Sequence, residues 1–427
     1  MLDIKYIREN AEAVKENCAN RGVAADIDAL LRLDEQRRQT LQQVEQMRAQ
    51  RKQKSKSKPS DEEIAKMREA GEEIKEVEAE LAAIMAKLEE IAYKVPNMVY
   101  PGTPIGKDET ENKVVRKFAN LPKFNFQPKE HWELGEKLGI IDTITATKVS
   151  GSRFAYLKGA LVKLEFALVQ YALDVLTDEK ILKKIIKYNK LKVSSKPFLP
   201  VVPPMLIKPD VMHKMARLEP REERYHISGD DLYLVGSAEH TLGPMHMDTI
   251  LKEEDLPIRY VGFSTAFRRE AGSYGKDMKG ILRVHQFDKV EMESFTAPEQ
   301  GVAEQDFIVA IQEYLMQSLG IPYQVVQKCT GDMGAPDYRE FDIEAWLPGQ
   351  NRYRETHTAD YMADYQSRRL NTKVKLDDGT IHFAHMNDAT AFAISRTPIA
   401  IMENFQQADG SILVPKALQK YTGFKKI

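Results

Sequence analysis

Cysteine is nearly missing from this chain: 427 residues hold two, Cys18 and Cys329, one near each end. That excludes a disulfide framework, argues against a cysteine-rich zinc site, so that no zinc is expected, and suits a reducing cytoplasm. Long apolar runs are missing too. None reaches the ~18 residues that a membrane span needs, and residues 1–10 are too charged for a signal peptide. The expectation is a soluble, cytoplasmic protein with no membrane contact. Net charge is almost absent, −2 from 62 Lys and Arg against 64 Asp and Glu. Any contact with nucleic acid must therefore come from a local patch. The sequence lacks a GxxxxGKS or GxxxxGKT loop, a GxSxG elbow and an HExxH pair, which excludes P-loop nucleotide binding, and it supplies no activated protein nucleophile.

What is present divides into at least two domains, as the length requires. Residues 1–25 read as a short helical lead-in, with Ile4, Ile7, Ala11 and Val14 at helical spacing. Two long helices follow from Ile27. Pro59 ends the first, and Ser60 with Glu63 reads as a capping box opening the second. In the second, Met67, Ala70, Ile74, Val77, Leu81, Ile84, Leu88, Ile91 and Val95 step by three and four. Its partner is patchier: Leu30, Leu33, Thr40, Val44 and Met47 keep register and Arg37 interrupts it. This predicts an antiparallel coiled-coil arm roughly 45 Å long at 1.5 Å per residue, within an N-terminal domain over 1–105. At its tip Arg48, Arg51, Lys52, Lys54, Lys56 and Lys58 occur with no acid among them. Two readings stand: a solubilising turn, or a grip on the phosphate backbone of a long RNA stem.

Pro101, Gly102, Pro104 and Gly106 mark a linker to about residue 112, and a second domain is expected over 113–427. It opens with an apolar helix within 151–176 and a lysine-rich helix and loop over 177–197 with no assigned chemistry. A strand over 199–208 follows, which Pro203 and Pro204 place at a sheet edge or subunit contact. Further on come a helix near 303–319, strands at 323–329 and 341–347, a hairpin turn at 377–379 and a helix over 389–406. Hairpins with helices outside them predict an α+β domain on an antiparallel sheet.

The chemistry concentrates in a long hairpin, strands 263–267 and 280–292, around a loop with Gly272, Ser273, Gly275, Lys276 and Gly280. Alternation puts Arg268, Glu270, Arg283, His285, Phe287, Lys289 and Glu291 on one face. Forked cations, carboxylates and an aromatic can cradle a nucleotide and a small zwitterion; the competing reading is a charged, exposed hairpin. Further groups without structural need stand at 237–239, 354–358 and 388–396. With no nucleophile, the set offers positioning and charge neutralisation, which suits attack of a substrate carboxylate on the α-phosphate of ATP.

Over nearly its whole length the sequence resembles the seryl-tRNA synthetases, a family of class II aminoacyl-tRNA synthetases. The phrases that carry the match are VSGSRFAYLKGAL (149–161), SAE (237–239), FRREAGSYGKDMKGILRVHQFDKVEM (267–292), AWLPGQNRYRE (345–355) and RTPIAIMENFQQADGSILVP (396–415). The resemblance implies a coiled-coil arm that grips serine tRNA, and a homodimeric catalytic domain on a six- to seven-stranded antiparallel sheet. It also makes the strand at Pro204 a dimer-interface motif. It implies that Arg268, Glu355 and Arg396 are catalytic. ATP would be held by these three with Arg269, Glu270, Val284, Phe287, Thr356, His357 and Thr358, and Mg²⁺ by Glu355 and Thr358. L-Serine would be held by Ser237, Ala238, Glu239, Arg268, Glu291, Asp388 and Thr390. The chain departs from the family at Ser237, where Thr is commoner, at Asp388, where Asn is usual, and at Thr358, Ala391 and Ser395. Two rival functions remain to be weighed: a ligase loading an amino acid onto a carrier protein, and an inactive paralogue acting as an RNA-binding or scaffold protein.

Overall fold

A computed structural model describes residues 1–54, 61–271, 277 and 279–427. The expected stop at Pro59, the Ser60–Glu63 cap, the cations Lys56 and Lys58 and the turn residues Gly272, Ser273, Gly275 and Lys276 lie outside the described residues or side chains. The chain forms two compact units, Met1–Met98 and Val99–Ile427.

The first unit is helical: α1 (Ile4–Glu9), α2 (Ala11–Asn20), α3 (Ile27–Lys54) and α4 (Asp61–Lys94). α3 and α4 pack along one another, and each heptad position from Met67 to Val95 is at least half-buried while most residues between them are exposed. The interruption at Arg37 has a cause. Asp34, fully buried in the seam, accepts hydrogen bonds from Arg37 Nη2 (2.8 Å) and Arg8 Nη1 (2.5 Å). Arg37 is thus held as a partner of Asp34 within α3, while Arg8 of α1 ties the lead-in helix to the arm through the same carboxylate. Replacing Asp34 by Ala removes the shared acceptor of the partly exposed Arg8 and Arg37 and is expected to destabilise this unit by about 1–2 kcal/mol, measured by urea unfolding. Burial alone pushes the Asp34 carboxyl up, but Arg37 and Arg8 hold it below its ordinary value. Its contribution is therefore complete above the unfolded carboxyl's pKa of about 3.9 and is lost as the pH falls through the lower folded value.

The second unit is built on an eight-stranded sheet. In chain order its main elements are β1 (Lys113–Phe118), α5 (Ala160–Thr177), α6 (Glu179–Asn189), β2 (Leu199–Val201), β3 (Ile258–Phe267) and β4 (Gln286–Thr296). Then come α7 (Gly301–Leu319), β5 (Tyr323–Gln327), β6 (Arg339–Leu347), β7 (Arg352–Ala363), β8 (His385–Ala393) and α8 (Arg396–Asn404). The strand order is β1-β5-β6-β7-β8-β4-β3-β2. Every pairing is antiparallel except that of β2, which adds to β3 in parallel, so the sheet has one strand more than the resemblance implies. One face packs its Val290, Met292, Ile343, Ala345 and Ala359 against Leu164 and Leu168 of α5 and Phe307 and Ile311 of α7. α7 is pinned there by two buried amides. Gln305 donates to Arg339 O and Ala359 O, and Gln312 to Thr358 O and Thr390 O, at 2.7–2.9 Å. Alternation along β4 sends Lys289, Glu291 and Glu293 to the opposite face.

Four expectations need correcting. Residues 389–406 are not one helix: 389–393 belong to β8 and α8 starts at Arg396. β8 is a central strand buried on both faces, so its small apolar residues show no period of two. The second hairpin strand starts at Gln286, not at 280. Residues 281–285 form a loop whose backbone bonds elsewhere, Ile281 N to His131 Nε2 (3.1 Å) and His285 N to Arg153 O (3.0 Å). Gly280, at φ +75°, allows this approach, because a Cβ there would lie 2.1 Å from His131 Nε2. The strand expected over 199–208 is broken into β2 and a short strand Leu206–Ile207 in a separate small sheet, with Pro203 and Pro204 between them. The segment read as a linker lies on the second unit, where Pro104 O and Gly106 O accept from Thr330 N and Gly331 N, both at 2.9 Å.

Candidate active site

The polar face of the sheet carries a cavity of about 160 Å³. Its floor comes from three adjacent central strands. β4 supplies Phe287, Lys289 and Glu291, β7 supplies Glu355, Thr356, Thr358 and Asp360, and β8 supplies Asp388, Thr390 and Ala393. Two β-bulges make this possible. Ile343 pairs with His357 and Glu344 with Glu355, which leaves Thr356 extra on β7 and turns Glu355 into the cavity beside it. On β8, Val290 pairs with Phe392 and Glu291 with Thr390, which leaves Ala391 extra. The rim is made by Arg268 and Glu270 after β3, by Leu282, Arg283 and Val284 of the loop, and by Ser395 and Arg396 at the start of α8.

The two ends differ in chemistry. At one, the Arg268 guanidinium lies 5.5 Å from the centre of the Phe287 ring, and its Nε donates to Gly236 O at 3.1 Å. Glu270 pairs with Arg283 at 3.1 Å, and Arg396 Nη1 bonds the Glu355 carboxylate at 2.8 Å and its carbonyl at 3.0 Å. A flat aromatic beside forked cations suits a base and its phosphates. At the other end Glu239, Glu291 and Asp388 bring carboxylate oxygens within 4.8 Å of one another, all buried. Lys289 Nζ sits 2.8 Å from Glu291 and 3.4 Å from Thr390 Oγ1. Burial pushes the Glu291 carboxyl up to about 8, Glu239 and Asp388 adding repulsion and Lys289 opposing it. Asp388 is raised to about 7, by burial first and then by Glu239, against the pull of Arg217. Burial would raise Glu239 as well, but Arg217 and Lys289 outweigh it and hold that carboxyl well below the usual range.

Of the residues singled out by sequence, Arg268, Glu270, Val284, Phe287, Glu355, Thr356, Thr358, Arg396, Glu239, Glu291, Asp388 and Thr390 line this cavity. Four others are absent from its wall. Arg269 has an exposed side chain, with its backbone N–H bonded to Glu223 O. Ala238 is packed in a core with Leu242, Tyr260 and Phe295. Ser237 is buried behind Glu239, donating to its Oε2 at 3.1 Å. His357, the residue after the bulged Thr356, points into the core against Phe392, where burial lowers its pKa to about 4. His285, on the hairpin's charged face by alternation, lies instead between Phe154 and Tyr225. Sequence reasoning missed Arg217 and Asp360 and gave Lys289 no role. Lys289 and Asp360 follow from alternation with Glu291 and Thr358; nothing periodic marks Arg217.

Comparison with known proteins gives the same reading over both units. Residues 1–99 match the seryl-tRNA synthetase N-terminal domain, and residues 223–405 the class II tRNA synthetase core domain of the glycine, histidine, proline, serine and threonine enzymes. The chain is 43% identical to the serine–tRNA ligase of Treponema denticola, with 100% of each chain covered. It is similar to the crystal structure of the Pyrococcus horikoshii seryl-tRNA synthetase complexed with ATP, at a TM-score of 0.89 and 38% identity over 100% of this chain and 99% of that one. The cytoplasmic serine–tRNA ligase of Naegleria fowleri in complex with AMP matches at a TM-score of 0.85 and 32% identity, covering 100% and 98%. The chain belongs to the seryl-tRNA synthetase family, joining that family's N-terminal domain to a class II synthetase core.

Proposed function

We infer that the protein activates L-serine with ATP and then transfers it to the 3′ end of serine tRNA. In the first step a serine carboxylate oxygen attacks the α-phosphorus and pyrophosphate leaves. In the second a hydroxyl of the terminal tRNA ribose attacks the seryl carbonyl and AMP leaves. The observation that carries this reading is a single cavity with a cationic, aromatic end and an acidic, hydroxyl-bearing end. Phe287 and Val284 flank the base and Glu270 accepts from its amino group, while Arg268 and Arg396 neutralise phosphate charge. Glu239 and Glu291 take the serine ammonium. Thr390 bonds the serine hydroxyl, a contact that rejects analogues lacking it. Thr356 lines the cavity beside Glu355, while Ser237, Ala238 and His357 stand behind its wall. Glu355 and Thr358 offer hard oxygen donors for Mg²⁺, and Asp342, opposite Thr358 on β6, has a buried Oδ1 with no hydrogen-bond partner among the described residues. Mg²⁺ held there supplies phosphate charge neutralisation.

Serine-dependent ATP–pyrophosphate exchange tests the reading; exchange with another amino acid and none with serine overturns it. The pocket's titration gives a second expectation. Near pH 7 Glu291 is mostly and Asp388 about half protonated in the free pocket, and an arriving ammonium favours their ionised forms. Serine binding at pH 7 should release up to about one proton, read as a dependence of the calorimetric enthalpy on the buffer's ionisation enthalpy.

Two copies pair along the β2 edge. Val202, 85% exposed, and Leu199, 60% exposed, stand there beside α5, which presents Phe166 to solvent. Such an apolar surface suits a subunit contact. Val202→Asp should convert a dimer to a monomer in size-exclusion chromatography with light scattering. No helix among the described residues is long and apolar enough to cross a membrane, and both cysteines are buried free thiols, compatible with work in the cytoplasm.

A further inference from the structure

We propose that Arg217 is the positioning residue of the amino-acid subsite, locking Glu239, Asp388 and Asp360 into one array whose remaining negative charge takes the substrate ammonium. The proposal rests on the serine reading above and names the side chain on which the subsite's shape depends.

Arg217 stands in irregular chain after the short helix Pro209–Lys214, far in sequence from β7 and β8. Its backbone is fixed on both sides: its N–H donates to Met212 O at 3.2 Å, and its carbonyl accepts from Arg224 Nε at 2.9 Å. The guanidinium is 15% exposed. Its Nε lies 3.1 Å from Glu239 Oε1, and its Nη2 donates to Asp388 Oδ2 at 3.2 Å and to Asp360 Oδ2 at 3.3 Å. Those carboxylates come from three separate elements, the short helix Glu239–Leu242, β8 and β7. Asp360 and Asp388 are paired in register across β7 and β8, and the planar fork ties Glu239, from outside the sheet, to that pair. A lysine carries its three donors on one nitrogen and cannot match contacts made from the separate Nε and Nη2 positions.

Charge counting shows why this matters. The acidic end holds two cations, and Lys289 is already 2.8 Å from Glu291 and 4.0 Å from Glu239. Behind them Glu293 pairs in register with Asp388, is fully buried, and has neither oxygen hydrogen-bonded among the described residues. With Asp337 3.8 Å from Arg217 Nη2, carboxylates outnumber the two cations here, burial keeps part of that excess protonated, and a substrate ammonium enters by displacing protons. Without Arg217 the crowded carboxyls would repel one another more strongly and hold their protons more tightly against an arriving ammonium. A protonated carboxyl is a poor acceptor for an ammonium, so the subsite would bind serine worse although it had lost a cation.

The test is serine-dependent ATP–pyrophosphate exchange by the full chain carrying Arg217→Met, Arg217→Lys, or Arg217→Met with Asp388→Asn. Arg217→Met should raise the serine KM by at least ~30-fold while the ATP KM moves by less than ~3-fold, as expected for loss of one partner of a buried charge network. Arg217→Lys should fall close to it, and serves as the probe should the Met variant fail to fold. Adding Asp388→Asn removes one of the charges that Arg217 serves and should recover at least ~5-fold of the serine KM. A serine KM within ~3-fold of the parent's, equal rises in both KM values, or a double variant no better than Arg217→Met overturns the proposal. Lack of serine-dependent exchange in the unaltered chain would instead strike the functional reading beneath it.

Discussion

Replacing Arg268 by alanine is expected to lower kcat for serine-dependent ATP–pyrophosphate exchange by about 10³-fold, as loss of an oriented donor to developing charge does. Because the attacking group is the substrate's own carboxylate, catalysis must come from holding the serine carboxylate and the α-phosphate together and from stabilising the negative charge that builds as they react. Arg268 is oriented for this before substrate arrives. Its Nε is held by Gly236 O at 3.1 Å, and its plane is backed by Phe287, which itself stands on the rigid strand β4. Arg268→Lys keeps a charge but loses both the fork and the stacking, and should still lose about 10²-fold. Thermal melts should shift by no more than about 2 °C, because the side chain lies at the rim and leaves no core cavity. A rise confined to the ATP KM would show that Arg268 serves ground-state binding alone and would remove it from the catalytic set.

How much of this was legible in the sequence depends on whether a residue's neighbours are set by local periodicity. The arm was readable because heptad positions from Met67 to Val95 repeat one geometric relation, and the structure buries those positions. Phe287, Lys289 and Glu291 were readable because a strand alternates. The α+β architecture followed from hairpin signals such as Asp377-Asp378-Gly379, which does join two short paired strands. Where the backbone breaks its period the reading failed. The bulge at Thr356 turns Glu355 into the cavity and leaves His357 in the core, and an extra residue in a strand has no signature in side-chain type. The loop 281–285 reads as strand because Ile281 and Val284 are apolar and β-branched, yet His131 and Arg153 claim its backbone. The central strand β8 reads as helix because burial on both faces erases alternation. Arg217 illustrates the limit. Its partners lie 22, 143 and 171 residues away, at Glu239, Asp360 and Asp388, on a short helix and two sheet strands that only the folded chain brings together. The resemblance to a family supplied residue roles there, but not this one.

Removing the first unit, Met1–Met98, should abolish aminoacylation of serine tRNA, by more than about 10³-fold, while serine-dependent exchange stays within about 3-fold of the full chain. The boundary permits a clean cut, because each unit keeps its own core. The arm's apolar seam is satisfied between α3 and α4, and its base is closed from within by Arg8 on Asp34 and by Arg21 and Asn17 on Asn97 O at 2.8 and 3.0 Å. All the cavity-lining residues lie beyond residue 216, so activation has no need of the arm. Transfer does need it, if the arm holds the RNA. A tRNA presents a long backbone to be fixed before its 3′ end can enter a cavity of this size, and electrostatic contact by exposed cations such as Arg51 near the end of α3 supplies sequence-independent grip. Such grip is sensitive to salt. In the intact protein the tRNA KM should therefore climb steeply with added salt while the serine KM changes little, and in the truncated protein the residual transfer should lose most of that dependence. Parallel loss of exchange and charging would make the first unit a support of the catalytic fold; undiminished charging would move the RNA contact onto the second unit. Loss of charging alone, with its salt dependence, follows only if the arm's task is to carry the RNA to a site that is already complete.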